Sequence, residues 1–411
     1  VDKPNPKSSS FEGYARRRFK MAGKALLEGG HPWFAQVDAL AAAAKDVPGG
    51  FLSFAHYDYL GLMHDPRMNA AAKEAIDAFG SGAGASRLVG GERTAHRKFE
   101  EDMAEFLGVG GVLAMISGYL TNMSIISHIM GPRDLVITDD LAHNSIVMGA
   151  KAGRFEYKKF RHNDLDHLEH ILETERSNYA RVLIAAEGLY SMDGDLADLP
   201  RLVDIKDRHD AWLLLDEAHS YGVLGETGRG LCERAGVDPE RVELQIGTLS
   251  KSFASSGGFI AASKEVIEWL RFTLPCFVYS VGLSPATLAT AQTSLDLLKA
   301  EPERVRKLRR NSQMFLNKAR AAGLNTFTAV GEAVVPVLFQ TQAQVLAVSH
   351  ILLEQGIYAP PIVHVGVPKD LPRIRFFISA AHEEADIDRV ITALQHAAEM
   401  TADLSGQAVG T

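Results

Sequence analysis

Trp212-Leu213-Leu214-Leu215-Asp216-Glu217-Ala218-His219 and, thirty-odd residues on, Gly247-Thr248-Leu249-Ser250-Lys251-Ser252-Phe253 are two short apolar runs that each end on charged side chains. Runs of this length and composition read as buried strands. With their upstream flanks they span 211–216 and 244–248, and four more runs of strand character lie at 111–116, 134–138, 180–186 and 257–262. Helical stretches separate most of them, for example 163–176 and 198–208. Strands alternating with helices imply a mostly parallel sheet covered on both faces. Ligands of such sheets sit at the carboxyl ends of the strands, so the residues closing each run are the ones to read for chemistry.

Outward from those strands, residues 1–50 read as a mostly helical N-terminal arm that stops at Pro48-Gly49-Gly50. A large α/β domain is expected over 51–285. It opens with a helical pattern from about 65 to 107, interrupted by Gly80-Ser81-Gly82-Ala83-Gly84-Ala85-Ser86. The Gly282-Leu283-Ser284-Pro285-Ala286 break precedes a long charged helix, 286–322, and 286–400 reads as that linker helix plus a small C-terminal domain. Residues 401–411 read as a flexible tail.

With 411 residues, 46% of them hydrophobic, the chain has enough apolar side chains for a large core. A formal net charge of -8 argues against nucleic acid as a partner. No apolar run approaches the roughly 20 residues that span a bilayer, and the polar N-terminus does not resemble a signal peptide. Cys232 and Cys276 are the only cysteines, which indicates neither a disulfide framework nor a cysteine metal site. A cytoplasmic setting is the plain expectation. Arg16, Arg17, Arg18, Lys20 and Lys24, interleaved with Phe19, Met21, Leu26 and Leu27, fit a basic amphipathic helix in weak peripheral contact with the inner membrane face. A solvated arm packed on a partner subunit explains the same residues.

Three run ends carry the chemistry. A buried carboxylate such as Asp216 is costly unless a cation faces it. The protonated ring nitrogen of pyridoxal 5'-phosphate (PLP) is one such cation, and an ion-paired structural role is the other reading. Lys251 follows an apolar strand with Thr248 and Ser250 beside it. Hydroxyls there bind a phosphate, and a desolvated lysine has the lowered pKa that imine formation needs. A surface lysine explains neither the hydroxyls nor the spacing from Asp216. At Ile116-Ser117-Gly118-Tyr119 a strand runs into an expected helix N-terminus, whose backbone N–H groups form an anion site. His143, in Asp140-Leu-Ala-His143-Asn144-Ser145, is placed to stack on a ring. Two further patterns carry little. Gly82-x-Gly84 follows no strand and has Arg87 where a dinucleotide fingerprint needs glycine. His167 and His170 share a helix face, but no further ligands accompany them, so no metal is expected.

Asp216-Glu-Ala-His219 and Gly247-Thr-Leu-Ser-Lys251, together with Ser117-Gly-Tyr119, Ala142-His-Asn144 and Tyr190-Ser-Met-Asp-Gly-Asp195, resemble the α-oxoamine synthases. These are PLP-dependent acyltransferases and include 8-amino-7-oxononanoate synthase, glycine C-acetyltransferase, 5-aminolevulinate synthase and serine palmitoyltransferase. The resemblance keeps its order from Phe54 to His382. It implies the PLP fold-type I (aspartate-aminotransferase-like) architecture: a large α/β domain with a mostly parallel seven-stranded sheet and a smaller α+β C-terminal domain. Lys251 matches the Schiff-base lysine that also removes the Cα proton. Asp216 matches the partner of the ring nitrogen, His219 the partner of the ring oxygen, and His143 the stacking residue. Ser117, Gly118, Tyr119 and Thr248 match the phosphate cradle, and Ser191 a further cofactor contact. Arg375 matches the clamp on the amino-acid carboxylate. Tyr279-Ser280 resembles the stretch that reaches a neighbouring subunit's phosphate, which implies a homodimer with shared active sites.

The implied reaction is a decarboxylating condensation of an amino acid with an acyl-CoA or acyl-carrier protein. Tyr57 before Asp58-Tyr59-Leu60-Gly61, and Glu187-Gly-Leu-Tyr-Ser191, look most like the serine palmitoyltransferases. Against this, Gly282 replaces a hydroxyl residue in the inter-subunit phosphate loop, and His364-Val-Gly-Val-Pro368 stands where biotin-pathway members show Pro-Pro-Thr-Val-Pro; the Tyr57 and Glu187 motifs carry the choice. The expectation is therefore serine, rather than glycine or alanine, and a long acyl-CoA, giving 3-ketosphinganine. Another member of the family, a PLP aminotransferase and an inactive scaffold are the alternatives, the last disfavoured by the presence of Lys251.

Overall fold

The computed structural model describes residues 10–18, 33–363 and 371–406. Of the basic N-terminal stretch, Arg16, Arg17 and Arg18 are exposed on a short helix; Phe19, Lys20, Met21, Lys24, Leu26 and Leu27 lie outside the described residues, as do His364–Pro368 and 407–411. No helix among the described residues is long and apolar enough to cross a membrane. The chain divides into two compact units. The larger is Phe54–Leu338 with Arg375–Gln395, and the smaller is Val1–Ser53, Phe339–Ile374 and His396–Thr411.

The larger unit is built on seven strands: β1 (Gly111–Met115), β2 (Leu135–Asp139), β3 (Glu156–Phe160), β4 (Val182–Glu187), β5 (Trp212–Asp216), β6 (Leu244–Thr248) and β7 (Gly258–Ala262). Their order across the sheet is β1-β7-β6-β5-β4-β2-β3. Neighbours from β6 to β3 run parallel, and β7 alone is reversed, antiparallel to both β1 and β6. Strands β2, β4, β6 and β7 are buried along their whole length, as a sheet covered on both faces requires. Side chains alternate between two cores. Val112, Ala114, Phe259 and Ala261 pack with Phe99, Met103, Leu288 and Leu295 on one face. Leu113, Met115, Ile260, Leu183, Leu214 and Ile246 pack with Ile125, Ile126 and Ile146 on the other.

Six of these strands coincide with the runs read from sequence. β3 does not, because Glu156-Tyr-Lys-Lys-Phe160 is an edge strand whose charged side chains face solvent. Charge on an edge blocks further strand addition and removes the apolar signal together. The helix expected over 286–322 is two helices, Pro285–Ala300 and Glu303–Ala321. Pro302 has no N–H to continue the first and stands as N-cap of the second. Both helices belong to the larger unit, so the unit boundaries do not follow the 285/286 break. In the smaller unit, Leu52–Ser53 pairs in parallel with Ile357–Tyr358, Pro361 and Ile362 pair antiparallel with Ile374 and Arg373, and the helices Val37–Ala43 and Gln342–Glu354 accompany them.

Candidate active site

A cavity of ≈ 270 Å³ in the larger unit opens at the carboxyl ends of β4, β5 and β6. It gathers Tyr57, Gly118, Tyr119, His143, Ser191, Asp216, His219, Thr248, Lys251 and Arg375. Of the residues singled out in the sequence, Ser117 and Ser280 are not in its lining. Ser117 is the N-cap of helix Gly118–Ile129, its hydroxyl accepting the Leu120 N–H at 3.3 Å. Ser280 lies with Arg87, Ile116 and Cys276 in a separate small crevice, and the neighbouring Tyr279 is 86% exposed.

Lys251 sits three residues past β6, in a turn closed by the Ala254 N–H to its carbonyl at 2.9 Å and by Leu249 N–H to Gly257 O at 3.0 Å. Its Nζ is 5.7 Å from the centre of the Tyr57 ring. Burial drives its pKa down to about 8; Asp216 and Glu187 oppose the shift and Arg375 adds to it. The amine is therefore largely protonated at neutral pH, but reaches the neutral, nucleophilic form far more readily than an ordinary lysine.

Asp216 closes β5 with its carboxylate buried. One oxygen accepts the Ala218 N–H at 3.0 Å, and the other accepts Asn122 Nδ2 at 2.7 Å. Asn122 also donates to Ser145 Oγ at 3.0 Å, and that hydroxyl is 2.7 Å from His143 Nδ1. The Ser145 N–H points at the same nitrogen from 3.3 Å, so Nδ1 is an acceptor and the ring proton belongs on Nε2. Burial lowers the His143 pKa and keeps that ring neutral. Across the cavity, His219 Nδ1 lies 2.7 Å from Tyr59 Oη. Burial pushes His219 well below, and Tyr59 well above, their ordinary values. The phenol then donates to Nδ1 and leaves Nε2–H to face the cavity.

The floor is the N-terminus of helix Gly118–Ile129, whose first N–H groups have no partner within the helix. Two glycines bring it against the sheet. A Cβ on Gly118 would stand 2.9 Å from Thr248 Oγ1, and one on Gly258 only 2.6 Å from Gly118 Cα. Thr248 Oγ1 is 2.9 Å from Ser250 Oγ, so two hydroxyls flank the same helix end. Opposite, Arg375 Nη1 donates to the Ser191 carbonyl at 2.8 Å, and its guanidinium lies 5.0 Å from the Phe377 ring centre. Tyr57 meets the Phe377 ring edge-on at 4.6 Å.

Sequence reasoning assigned no role to Asn122, Ser145, Tyr59 or Glu187. Asn122 lies one helical turn beyond Gly118, a spacing that returns it to the same face. Glu187 ends β4 in register with Asp216 and shares its burial. Burial, with Asp216 beside it, raises its pKa, and Oε1 has no hydrogen-bond partner. His167, read as a weak metal candidate, instead accepts the Arg161 N–H on Nδ1 at 3.0 Å.

A family model described as aminotransferase class I and II matches residues 50–394. The 8-amino-7-oxononanoate synthase 1 of Bacillus velezensis is 36% identical over 365 residues, 89% of this chain and 93% of the relative. The solved serine palmitoyltransferase of Sphingomonas wittichii has 32% identity and a TM-score of 0.82, over 86% of this chain and 88% of that one. A high-resolution structure of SPT with a PLP internal aldimine has 30% identity and a TM-score of 0.85, over 97% of this chain and all (100%) of that one.

The cavity's donor set fits PLP. An amine of lowered pKa can meet an aldehyde, a carboxylate braced by Asn122 can meet a pyridinium, His219 Nε2–H can meet a ring oxygen, and a helix N-terminus with two hydroxyls can meet a phosphate.

Proposed function

The chain belongs to the aminotransferase class I and II family, and within it to the PLP-dependent α-oxoamine synthases; we propose that it condenses a small α-amino acid with an acyl thioester, releasing carbon dioxide and the thiol carrier. The observation that carries this reading is the placing of Lys251 and Arg375 on one cavity, an amine of lowered pKa with a guanidinium beside it. PLP, when bound, supplies an electron sink that makes the amino acid's Cα acidic.

The residues divide the work. Arg375, held by the Ser191 carbonyl, takes the amino-acid carboxylate in a bidentate pair. Lys251 Nζ, once neutral, takes the Cα proton. Asp216, fixed by Asn122 and the Ala218 N–H, holds a proton on the cofactor's ring nitrogen. His143 stacks on the ring, and its neutral Nε2–H is free to reach the thioester oxygen as charge develops there. His219 donates to the ring oxygen, and Gly118, Tyr119, Thr248 and Ser250 bind the phosphate. A bond forms between Cα and the thioester carbonyl carbon, the carbon–sulfur bond breaks, and the carboxylate then leaves as carbon dioxide. A homodimer whose partner covers Ser280 completes the assembly.

For the substrates we infer serine and a long-chain acyl-CoA, as in serine palmitoyltransferases, because Tyr57 presents an aromatic ring over Lys251 and beside Phe377. A second reading, the 8-amino-7-oxononanoate synthase type, is favoured by the sequence relative that matches 93% of its own length. Titrating the yellow holoenzyme with glycine, alanine and serine separates them. Saturable spectral change with serine, followed by acyl-CoA-dependent thiol release that grows with chain length, is the expected result. Response to alanine or glycine alone removes the serine reading. Transamination of a keto acid without thiol release removes the condensation itself.

A further inference from the structure

The loop that carries Ser191 is closed on itself. Tyr190 N–H reaches Asp195 O at 2.9 Å, Gly194 N–H reaches Tyr190 O at 2.9 Å, and Leu189 pairs with Leu196 in an antiparallel bridge. One side of this loop is the cavity wall, formed by Ser191 and Met192. The other side ends on Asp195, which faces His162.

His162 lies two residues past β3, between two carboxylates from different elements. Its Nδ1 is 2.9 Å from Asp139 Oδ1 at the end of β2, and its Nε2 is 2.9 Å from Asp195 Oδ2. Two ring nitrogens that each face a carboxylate oxygen both need a proton, so the ring is an imidazolium. Asn163 doubles both contacts: its N–H donates to Asp139 Oδ2 and its Nδ2 to Asp195 Oδ2, each at 2.9 Å. The Tyr190 ring packs edge-on against the imidazole at 4.6 Å. Among the described residues, Asp139, Asp195 and Tyr190 meet this ring and Asn163 bonds both carboxylates, and none of the four is in the cavity lining.

A cation between two anions, its own side chain 20% exposed but that of Asp139 fully buried, is a costly way to hold a loop unless its position matters. Removing any one member strands charges that burial makes expensive. The loop meets the cavity's side chains at Ser191: its carbonyl accepts from Arg375 Nη1 at 2.8 Å, and its N–H donates to Glu187 Oε2 at 3.4 Å. We propose that His162 is a positioning residue: its imidazolium, clipped between Asp139 and Asp195, fixes the Ser191 carbonyl and through it the Arg375 guanidinium that receives the amino-acid carboxylate. The proposal rests on the role given to Arg375 above. It makes amino-acid affinity depend on a residue that meets neither substrate nor cofactor.

The test uses the full-length holoenzyme and three probes, glycine, alanine and serine, titrated spectrally against His162→Gln, Asp195→Asn and Arg375→Lys. Glutamine can satisfy only one of the two carboxylates. With H162Q the dissociation constant of the amino acid that binds wild type should rise about tenfold or more, as expected for a misplaced clamp. The KM for acyl-CoA and the cofactor absorbance should be unchanged. D195N keeps the side chain's size and one acceptor, so it carries the test if H162Q fails to fold, and it should shift the same constant by less. Amino-acid affinity equal to wild type in both variants, or equal losses in amino-acid, acyl-CoA and cofactor binding, overturns the positioning role. R375K separates the premise from the inference. If it binds the amino acid as well as wild type, the carboxylate clamp itself is wrong and both fall. If it loses binding while H162Q and D195N do not, only the inference falls.

Discussion

Lys251 and His162 are charged side chains with opposite effects on folding. A lysine whose pKa drops from 10.5 to about 8 on folding carries a penalty that is complete below about pH 8 and gone above about 10.5. Stability of the cofactor-free chain should therefore rise with pH across that window. Lys251→Met should stabilise the cofactor-free protein at pH 7 by about 1–3 kcal/mol, read from denaturant midpoints. At His162 burial lowers the pKa, but hydrogen bonds to Asp139 and Asp195 outweigh it and carry it up to about 10. That contribution is complete below about pH 6.5 and is lost as pH rises through 10. In the Lys251→Met protein that rise is removed, and His162, together with the raised Glu187 and Tyr59, should make stability fall with alkaline pH; a continued rise would contradict the assignment. Asn122→Ala would leave one Asp216 oxygen without its donor, and PLP affinity should drop roughly ten- to a hundredfold, measured by fluorescence titration of the cofactor-free enzyme. Lys251, Asp216, His143 and His219 were legible because each closes an apolar run or stands in a short motif with its own chemical sense. Asn122 and His162 were not. Their partners are 94, 23 and 33 residues away, and nothing in an Asn on a helix or a His after an edge strand announces them.

At the scale of elements, the cavity exists because helix Gly118–Ile129 is pressed against β6 and β7 closely enough to aim its first N–H groups at one point. Gly118→Ala tests this contact. Its Cβ would sit 2.9 Å from Thr248 Oγ1 and 3.1 Å from Thr248 Cβ, so either the helix or the threonine must yield. PLP affinity should fall by tenfold or more with the thermal midpoint lowered by only a few degrees. Gly258→Ala meets backbone at 2.6 Å instead and should cost mainly stability. Normal cofactor affinity in G118A would remove the helix end as the phosphate site. Most of this architecture was readable from the apolar runs, since a parallel sheet buried on both faces leaves little but Val, Ile, Leu and Ala in its strands. The edge strand Glu156–Phe160 was not readable, because solvent on its outer side permits Lys and Glu. Pro302 was a readable signal that a continuous 286–322 helix overlooks: its first helix ends two residues earlier, at Ala300.

For the molecule as a whole, the exposed apolar side chains near the cavity point to a second copy of the chain. Leu88, Val89, Ile116, Leu120, Tyr279 and Val281 are all exposed, Val89 at 83% and Tyr279 at 86%. They are joined rather than scattered: Ser86 bridges to Val281, Gly282 N–H bonds to Ala85 O at 3.1 Å, and Cys276 Sγ lies 3.8 Å from the Leu120 carbonyl. Water-exposed apolar groups in one patch mark an interaction surface. Tyr119 belongs both to the cavity lining and to the exposed residues at this margin, so whatever covers the patch reaches the active site. In the homodimer proposed above, that continuity would give Ser280, absent from its own chain's cavity, a place in a neighbour's. Holoenzyme should therefore sediment as a dimer at micromolar concentration. Val89→Asp with Val281→Asp should give a folded monomer that loses cofactor on dilution and turns over at least tenfold more slowly, although every residue of its own cavity is intact. Tyr279→Ala should weaken the dimer less, since it removes area without burying a charge. A wild-type monomer with full condensing activity, or a double variant that stays dimeric and active, would assign the patch to something other than the shared site.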